Sequence, residues 1–124
     1  MKECFFCKCI NIKDFEFENE FAVARFDDFP VNKGHLEVIT KRHVKDWWNT
    51  TKEEKLAIFN LIDRAKNIID DKYNPDGYNI GMNLGEKAGQ SIMHLHVHLI
   101  PRYNGDVNNP RGGIRGIIPN KHNY

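Results

Sequence analysis

Hydrophobic and polar positions along the chain predict a sheet built from short strands. Apolar and aromatic residues fill 21–26, and polar and apolar residues alternate over 35–40. A connection rich in Asp, Pro, Asn and Gly separates these two stretches, which predicts an antiparallel hairpin. Residues 78–83 predict a further strand. Residues 92–100, where histidines alternate with Leu and Val, give the clearest strand pattern of all.

One long helix is predicted over residues 51–73. Thr51 and Glu54 have the spacing of a capping box, and the sequence Asn74–Gly77 predicts the end of the helix. The tail from Pro101 contains three of the five prolines and four of the nine glycines, so it is predicted to be a loop. The apolar positions of the helix recur at spacings of three and four residues: Leu56, Phe59, Ile62, Ala65, Ile69 and Tyr73.

Composition and charge indicate a single folded domain and exclude several kinds of partner. A chain of 124 residues with 40% hydrophobic and 28% charged residues predicts one folded domain over residues 1–124. The formal net charge of +1 gives no overall field that would recruit nucleic acid or an acidic membrane. No apolar stretch approaches the roughly 18 residues of a membrane span, and the N-terminal apolar run is too short for a secretory signal. We therefore expect a cytoplasmic protein without nucleic acid or membrane partners.

Three cysteines lie close together near the N-terminus. Cys4, Cys7 and Cys9 make a poor disulfide framework, because neighbouring cysteines close only trivial loops. Cys4 and Cys7 have the spacing of a zinc half-site. A redox role is not favoured, since no strand is predicted before Cys4 and no helix from Cys7. Cys9 is predicted to be a small core residue.

The histidine-rich stretch carries the strongest chemical signal. Side chains alternate between the two faces of a strand, so His94, His96 and His98 share one face. The Cα atoms of His94 and His98 would lie about 13 Å apart, too far for both to bind one zinc ion. A metal could take one or two of the rings, or one imidazole could act as a nucleophile. The preceding loop, Gly85–Ser91, offers backbone N–H groups and a hydroxyl suited to phosphate oxygens.

Several motifs together resemble those of the histidine triad (HIT) superfamily. The stretch His94–Ile100, preceded by Ala88–Ser91, is similar to the family signature, and Pro30–His43 is similar to its second conserved block. The pair Cys4 and Cys7 matches the zinc-containing branch, and the tail resembles that of prokaryotic diadenosine tetraphosphate hydrolases. The resemblance implies a single α+β domain with an antiparallel sheet of about five strands, one long helix, and a homodimer.

The resemblance also implies a reaction. His96 would attack the α-phosphorus of a nucleotide and form a nucleotidyl-histidine that water resolves, and the backbone carbonyl of His94 would orient its ring. His98 would bind the α-phosphate and assist the leaving group, while His35 would complete the histidine cluster. Neutral imidazole is a good nucleophile near pH 7, which suits this role.

Binding residues follow from the same resemblance. Asp27 would bind the ribose hydroxyls, with Asp28 as the candidate if the hairpin register shifts by one residue. A structural zinc would have four ligands: Cys4, Cys7, His43 and His94. Phosphate or the leaving group would contact four further residues: Asn83, Gly89, Gln90 and Ser91. Independently of the resemblance, three arginines could hold distal phosphates, although arginines of such a tail are usually only solvated: Arg102, Arg111 and Arg115.

Two departures from the family pattern affect the expected function. The segment between Cys7 and Phe21 lacks a clear first strand, so the first hairpin should be shortened or rearranged. Pro101 and Arg102 stand where phosphoramidase-type members carry glycines, which favours hydrolysis of a dinucleoside polyphosphate. The alternatives are a purine nucleoside phosphoramidase, a nucleotide-binding protein with little turnover, and a metal-dependent hydrolase that uses His94 and His96.

Overall fold

A five-stranded antiparallel sheet forms the centre of the computed structural model, which describes residues 4–122. In chain order the strands are β1 (Phe17–Glu18), β2 (Ala22–Phe26), β3 (Leu36–Thr40), β4 (Gly77–Gly81) and β5 (His96–Arg102). In the sheet they lie in the order β1-β2-β3-β5-β4, and every neighbouring pair is antiparallel. This arrangement confirms the α+β prediction with five strands and one long helix.

The long helix α2 spans Lys52–Tyr73, as the sequence predicts. Its capping box is present: the Thr51 hydroxyl accepts from the Glu54 N–H at 3.0 Å, and the Glu54 carboxylate accepts from the Thr51 N–H at 2.9 Å. Asn74 ends the helix in the left-handed conformation, with φ of 48°. Among residues 4–122, no helix is long and apolar enough to cross a membrane.

Helix α2 covers one face of the sheet and forms the main core with it. The side chains that meet there alternate along each strand with those of the opposite face, as a strand geometry requires. From the sheet side the core includes Ala22, Ala24, Leu36, Val38, Leu95, Val97 and Leu99, and from the helix side it includes Ile58, Leu61, Ala65 and Ile69.

A short helix, α1, spans Phe5–Asn11 and packs on the opposite face. The expectation that no helix forms near Cys7 was wrong. An isolated helix of this length is unstable in water, so its local pattern is weak, but Phe6 is 1% exposed and packs against Val23 and Ile39 of the sheet. Cys9 is buried in the same region, as predicted. The shortened first strand is also confirmed, because β1 has only two residues.

The boundaries of the last two strands differ from the prediction. Strand β5 begins at His96, because the backbone N–H of Leu95 is bonded to the carbonyl of Val44 at 2.7 Å outside the sheet. It continues through Pro101, which was expected to begin a loop. The carbonyl of Pro101 accepts from Asn32 Nδ2 at 3.0 Å on the side where β3 has ended, so its missing N–H costs no ladder bond. Strand β4 stops at Gly81, two residues short of the predicted end.

Candidate functional site

The histidine face of β5 opens onto a cavity of about 380 Å³. The register places Ile39 opposite His96 and Glu37 opposite His98, so β3 and β5 together form the floor. Helix α1 forms one wall through Phe6, whose ring centre lies 4.9 Å from that of His96. The lining residues are Phe5, Phe6, Arg25, Asp27, Asp28, Phe29, Glu37, Asn83, Ser91, Ile92, His96 and His98.

The hydrogen bonds of His35 and His98 assign their tautomers. The backbone N–H of Val31 donates to His35 Nδ1 at 3.2 Å, so the proton of neutral His35 lies on Nε2. That Nε2–H donates to His98 Nδ1 at 2.9 Å. The proton of neutral His98 therefore lies on Nε2, where it is available as a hydrogen-bond donor.

The tautomer of His96 is assigned by the main chain. His96 Nδ1 is 2.9 Å from the carbonyl oxygen of His94, which can only accept, so Nδ1 carries the proton. The hydrogen bond that the family resemblance implies is thus present. The lone pair of neutral His96 lies on Nε2, and its side chain lines the cavity. The ring is pre-oriented and keeps a nucleophilic nitrogen.

Burial keeps two of these rings neutral. Burial, reinforced by repulsion from the neighbouring imidazoles of His96 and His35, lowers the pKa of His98 to about 4. Burial also lowers the pKa of His35, and Asp27 opposes this shift only in part. Both rings therefore stay uncharged at neutral pH, which preserves the tautomers that their hydrogen bonds assign.

A second group of side chains lies at the start of β5. The Cys4 and Cys7 thiols and the Nδ1 atoms of His43 and His94 lie within 4.8 Å of one another. His94 Nε2 donates to the Thr40 carbonyl at 2.7 Å, so the Nδ1 lone pair is directed at the other three groups. Three segments that are distant in sequence meet at this point.

The spacing of these four groups fits a tetrahedral zinc ion. Zn–N and Zn–S bonds of about 2.1 and 2.3 Å imply N···N distances of about 3.4 Å and S···N distances of about 3.6 Å. The two Nδ1 atoms of His43 and His94 are 3.2 Å apart. Three of the S···N distances are 3.3 Å for Cys7 and His43, 3.4 Å for Cys4 and His94, and 3.5 Å for Cys7 and His94. The donor set therefore fits a closed Cys₂His₂ site, which is structural in type.

Asp27, His35 and His98 form another possible metal-binding group, with ligand atoms within 4.8 Å. The hydrogen bonds argue against a metal here. The proton on His35 Nε2 is donated to His98 Nδ1, and an ion between these atoms would have to displace it. We therefore assign these residues to the hydrogen-bonded histidine cluster. Within residues 4–122, His96 belongs to neither metal-ligating group, which disfavours a hydrolytic metal shared by His94 and His96.

Comparison with known proteins identifies the family. The protein-family model for the HIT domain matches residues 11–105 of the sequence. The chain belongs to the HIT family. A protein named hit from Bacillus subtilis is 39% identical over 105 residues, which cover 82% of this chain and 72% of that protein.

Two further relatives carry descriptions that bear on chemistry. The AP-4-A phosphorylase of Mycobacterium tuberculosis is 40% identical over 81 residues, which cover 64% of this chain and 42% of that enzyme. A zinc-bound histidine triad protein from Mycobacterium smegmatis matches with a TM-score of 0.73 at 32% identity, and the match covers 84% of this chain and 78% of that one.

Within this HIT domain, four of the predicted substrate-binding residues line the cavity: Asp27, Asn83, Ser91 and His98. Asp27 Oδ1 accepts from the Phe29 N–H at 2.8 Å, and Asp27 Oδ2 lies 3.7 Å from His35 Nε2. Asp28, the alternative ribose ligand, is instead bonded to Arg25 at 3.1 Å. Asp27 is therefore the carboxylate that joins the cavity to the histidine cluster.

Gly89 and Gln90 shape the loop before the triad. Gly89, with φ of 99°, ends a short 3₁₀ turn in a conformation that favours glycine. The buried Gln90 side chain accepts from the Gly85 N–H at 2.9 Å and donates to the carbonyls of Lys45 and Ile92. Neither is among the described residues that line the cavity. Their contact with phosphate stays a prediction.

The three arginines considered for distal phosphates lie elsewhere. The Arg102 guanidinium donates to the Asp106 carboxylate at 2.8 Å and to the Asn79 side-chain carbonyl at 2.7 Å. These bonds place it in an ion pair with Asp106. Arg111 and Arg115 are exposed residues of the C-terminal segment. None of the three is among the described lining residues of the histidine cavity, and their role in phosphate binding stays a prediction.

Two buried charged residues of the cavity were missed by the sequence analysis. Arg25 and Glu37 lie opposite each other on β2 and β3 and are 4% and 3% exposed. Burial and a hydrogen bond to Asp27 raise the pKa of Glu37 to about 8, which the Arg25 guanidinium only partly opposes. A signal was available, because each is the one charged residue of its strand and lies on the face opposite the core.

The raised pKa of Glu37 predicts a pH-dependent stability. The folded protein keeps a proton that the unfolded chain, with a Glu pKa near 4.5, releases, so the free energy of unfolding falls as pH rises from 5 to 8. Glu37→Gln imitates the protonated side chain and should remove this loss. Wild type should fall relative to the variant across this window by on the order of a few kcal/mol. Denaturant unfolding of both proteins in zinc-containing buffer at pH 5, 6.5 and 8 measures the difference.

The comparison at each pH is necessary because the buried histidines act in the opposite direction. The pKa of His98 is about 4 in the folded protein, so its contribution to stability grows as pH rises toward 6.5 in both proteins. Two parallel stability profiles between pH 5 and 8 would show that Glu37 is ionised throughout.

Proposed function

We propose that this HIT domain hydrolyses a nucleotide at its α-phosphorus through a nucleotidyl-His96 intermediate, and that its substrates are dinucleoside polyphosphates. One observation carries the proposal: the main chain of His94 holds the proton of His96 on Nδ1 and leaves Nε2 as the nucleophile in a nucleotide-sized cavity.

The first step forms a bond between His96 Nε2 and the α-phosphorus. The bond from that phosphorus to the leaving-group oxygen breaks, and the leaving group departs with its electron pair. The Nδ1–H bond to the His94 carbonyl supports the positive charge that the ring gains. In the second step, water attacks phosphorus and releases a proton. The P–N bond then breaks, and its electron pair returns to Nε2.

His98 and His35 assist both steps without changing their own charge. His98 lines the cavity and carries its proton on Nε2, so it is placed to donate a hydrogen bond to an α-phosphate or leaving-group oxygen. His35 holds that tautomer through its own Nε2–H. Asp27 lies beside this pair, and its carboxylate can accept hydrogen bonds from the ribose hydroxyls.

The substrate class rests on two points. Pro101 and Arg102 replace the glycines expected after the triad in phosphoramidase-type members, and a relative of 40% identity is named AP-4-A phosphorylase.

The proposed zinc is structural: Cys4, Cys7, His43 and His94 would hold it, and it would tie α1 to the start of β5. Homodimer formation and a cytoplasmic location stay predictions.

A substrate panel tests the proposal. The zinc-loaded protein is incubated with dinucleoside tetraphosphates, nucleoside phosphoramidates and nucleotidyl sugars, each in adenine and guanine forms. We expect the tetraphosphates to be cleaved fastest, with a nucleoside monophosphate among the products. Repeating the assay with inorganic phosphate tests the acceptor, because transfer to phosphate would give a nucleoside diphosphate in place of the monophosphate.

Two other results of the substrate panel would change the proposed function. Faster release from phosphoramidates would move the substrate class to that alternative. Tight binding without turnover of any member of the panel would leave a nucleotide-binding protein and would overturn the enzymatic proposal.

A further inference from the structure

The polar residues across β2, β3 and β5 give the cavity two distinct ends. Arg25 lies opposite Glu37, and Glu37 lies opposite His98, and all three line the cavity. Since neighbouring strands are about 4.8 Å apart, the backbone at Arg25 is about 10 Å from that at His98. This is comparable with the distance between the phosphate and the base of one nucleotide. A ligand with its phosphate at His98 thus reaches Arg25 with its base.

Arg25 organises the carboxyl groups at the base end. Its Nη2 donates to Asp28 at 3.1 Å and to Asp14 at 3.0 Å, and its Nη1 donates to Glu37 at 3.4 Å. Asp28 and Glu37 line the cavity, whereas Asp14 is not among the described lining residues. The buried guanidinium therefore fixes two carboxyl groups in the cavity wall.

This wall offers hydrogen-bond acceptors to a ligand. The Arg25 donors are directed at carboxylates and, through Nε, at the Asp14 carbonyl at 3.2 Å. Glu37 shares its proton with Asp27. The Asp28 side chain is 52% exposed, and a carboxylate can only accept. A ligand edge with several N–H donors fits this end of the cavity.

Phe5 supplies a flat surface at the same end. Its side chain is 43% exposed, lines the cavity, and lies 5.4 Å from the Arg25 guanidinium. A planar aromatic base can stack on such a ring. The base end thus combines a stacking surface with carboxylate acceptors.

Guanine is the nucleobase whose edge matches these acceptors. Its N1–H and exocyclic amino group lie side by side and can donate to both oxygens of one carboxylate. Adenine places an acceptor, N1, beside its amino group, and this nitrogen would face a carboxylate lone pair. We infer that this HIT domain prefers guanine nucleotides and that Asp28, held by Arg25, selects the base. The inference rests on the proposed function, because it takes the cavity as the nucleotide site.

Calorimetric titration of the zinc-loaded protein with GMP and AMP tests the preference. We expect GMP to bind about tenfold more tightly, the size of the effect of one favourable hydrogen bond to a charged group. Equal dissociation constants, or tighter binding of AMP, would overturn the inference. If the protein still cleaved nucleotides, the proposed function would stand without it. If it neither bound nor cleaved any nucleotide, the proposed function itself would fail.

Two matched variants test the role of Asp28. In Asp28→Asn the amide offers one acceptor and one donor, which match adenine, so the GMP to AMP ratio should fall to about one or below. Asp14→Asn makes the same chemical change in another carboxylate that is bonded to Arg25, but Asp14 is not among the described residues that line the cavity. This variant should keep the wild-type ratio. An unchanged ratio in Asp28→Asn, or an equal drop in both variants, would remove Asp28 as the selecting residue.

Discussion

Replacement of His96 by alanine is expected to lower turnover of the best substrate by at least about a thousandfold, because the proposed mechanism gives the covalent bond to this residue alone. Nucleotide binding should remain measurable, since Asp27, Asn83 and Ser91 still line the cavity. Steady-state kinetics and calorimetry with the product monophosphate separate the two properties. His122→Ala, which removes a histidine of the C-terminal segment, serves as the matched control.

The intermediate itself provides a second measurement. In rapidly quenched wild-type reactions, mass spectrometry should find one nucleoside monophosphate on the peptide that contains His96, in an acid-labile phosphoramidate linkage. The adduct should be absent from the His96→Ala protein. An adduct on His94 or His98, or wild-type turnover by the alanine variant, would refute the proposed nucleophile.

Loss of one of the proposed zinc ligands is expected to have the largest effect on stability. Cys7→Ser should abolish zinc binding and lower the free energy of unfolding by about 3 kcal/mol or more, equivalent to a fall in Tm of roughly 10 °C. The physical reason is that the four groups come from α1 and its N-cap Cys4, from the segment after β3 and from the residue two positions before β5, and a bound ion would join them. Metal analysis and thermal unfolding measure the two effects.

Cys9→Ser is the control for this experiment. Cys9 is buried but lies outside the four-ligand group, so its variant should keep about one zinc per chain even if its core packing is weakened. A wild-type protein that contains no zinc after expression in zinc-supplemented medium, and melts at the same temperature with and without chelator, would contradict the assignment.

The elements that could be predicted are those whose sequence pattern is local. Helix α2 has its capping box and its end signal within the segment itself, and the hairpin of β2 and β3 has a clear connection between two strands. Helix α1 could not be predicted in the same way. Its seven residues depend on the burial of Phe6 against Val23 and Ile39, which are distant in sequence.

The candidate site follows the same division. The alternation within 94–98 places the histidines on one face, and the structure brings His35, His98 and Asp27 together beside it. The partnership of Arg25 with Glu37 depends on strand register, which pairs two charges that lie 12 residues apart in the sequence. The pairing, and the acceptor wall it produces, became visible only with the fold.

His94 contacts the metal-ligating group with its side chain and the His96 ring with its main chain. Its imidazole belongs to the four-ligand metal group, and its carbonyl oxygen holds the His96 ring. A shift of His94 on metal release would therefore misalign the nucleophile, although the metal takes no part in bond making. Chelator sensitivity would then imitate that of a metalloenzyme. Exchange of zinc for another tetrahedral ion such as cobalt should leave the rate unchanged, which makes catalytic activity a reporter of site occupancy, whichever ion fills it.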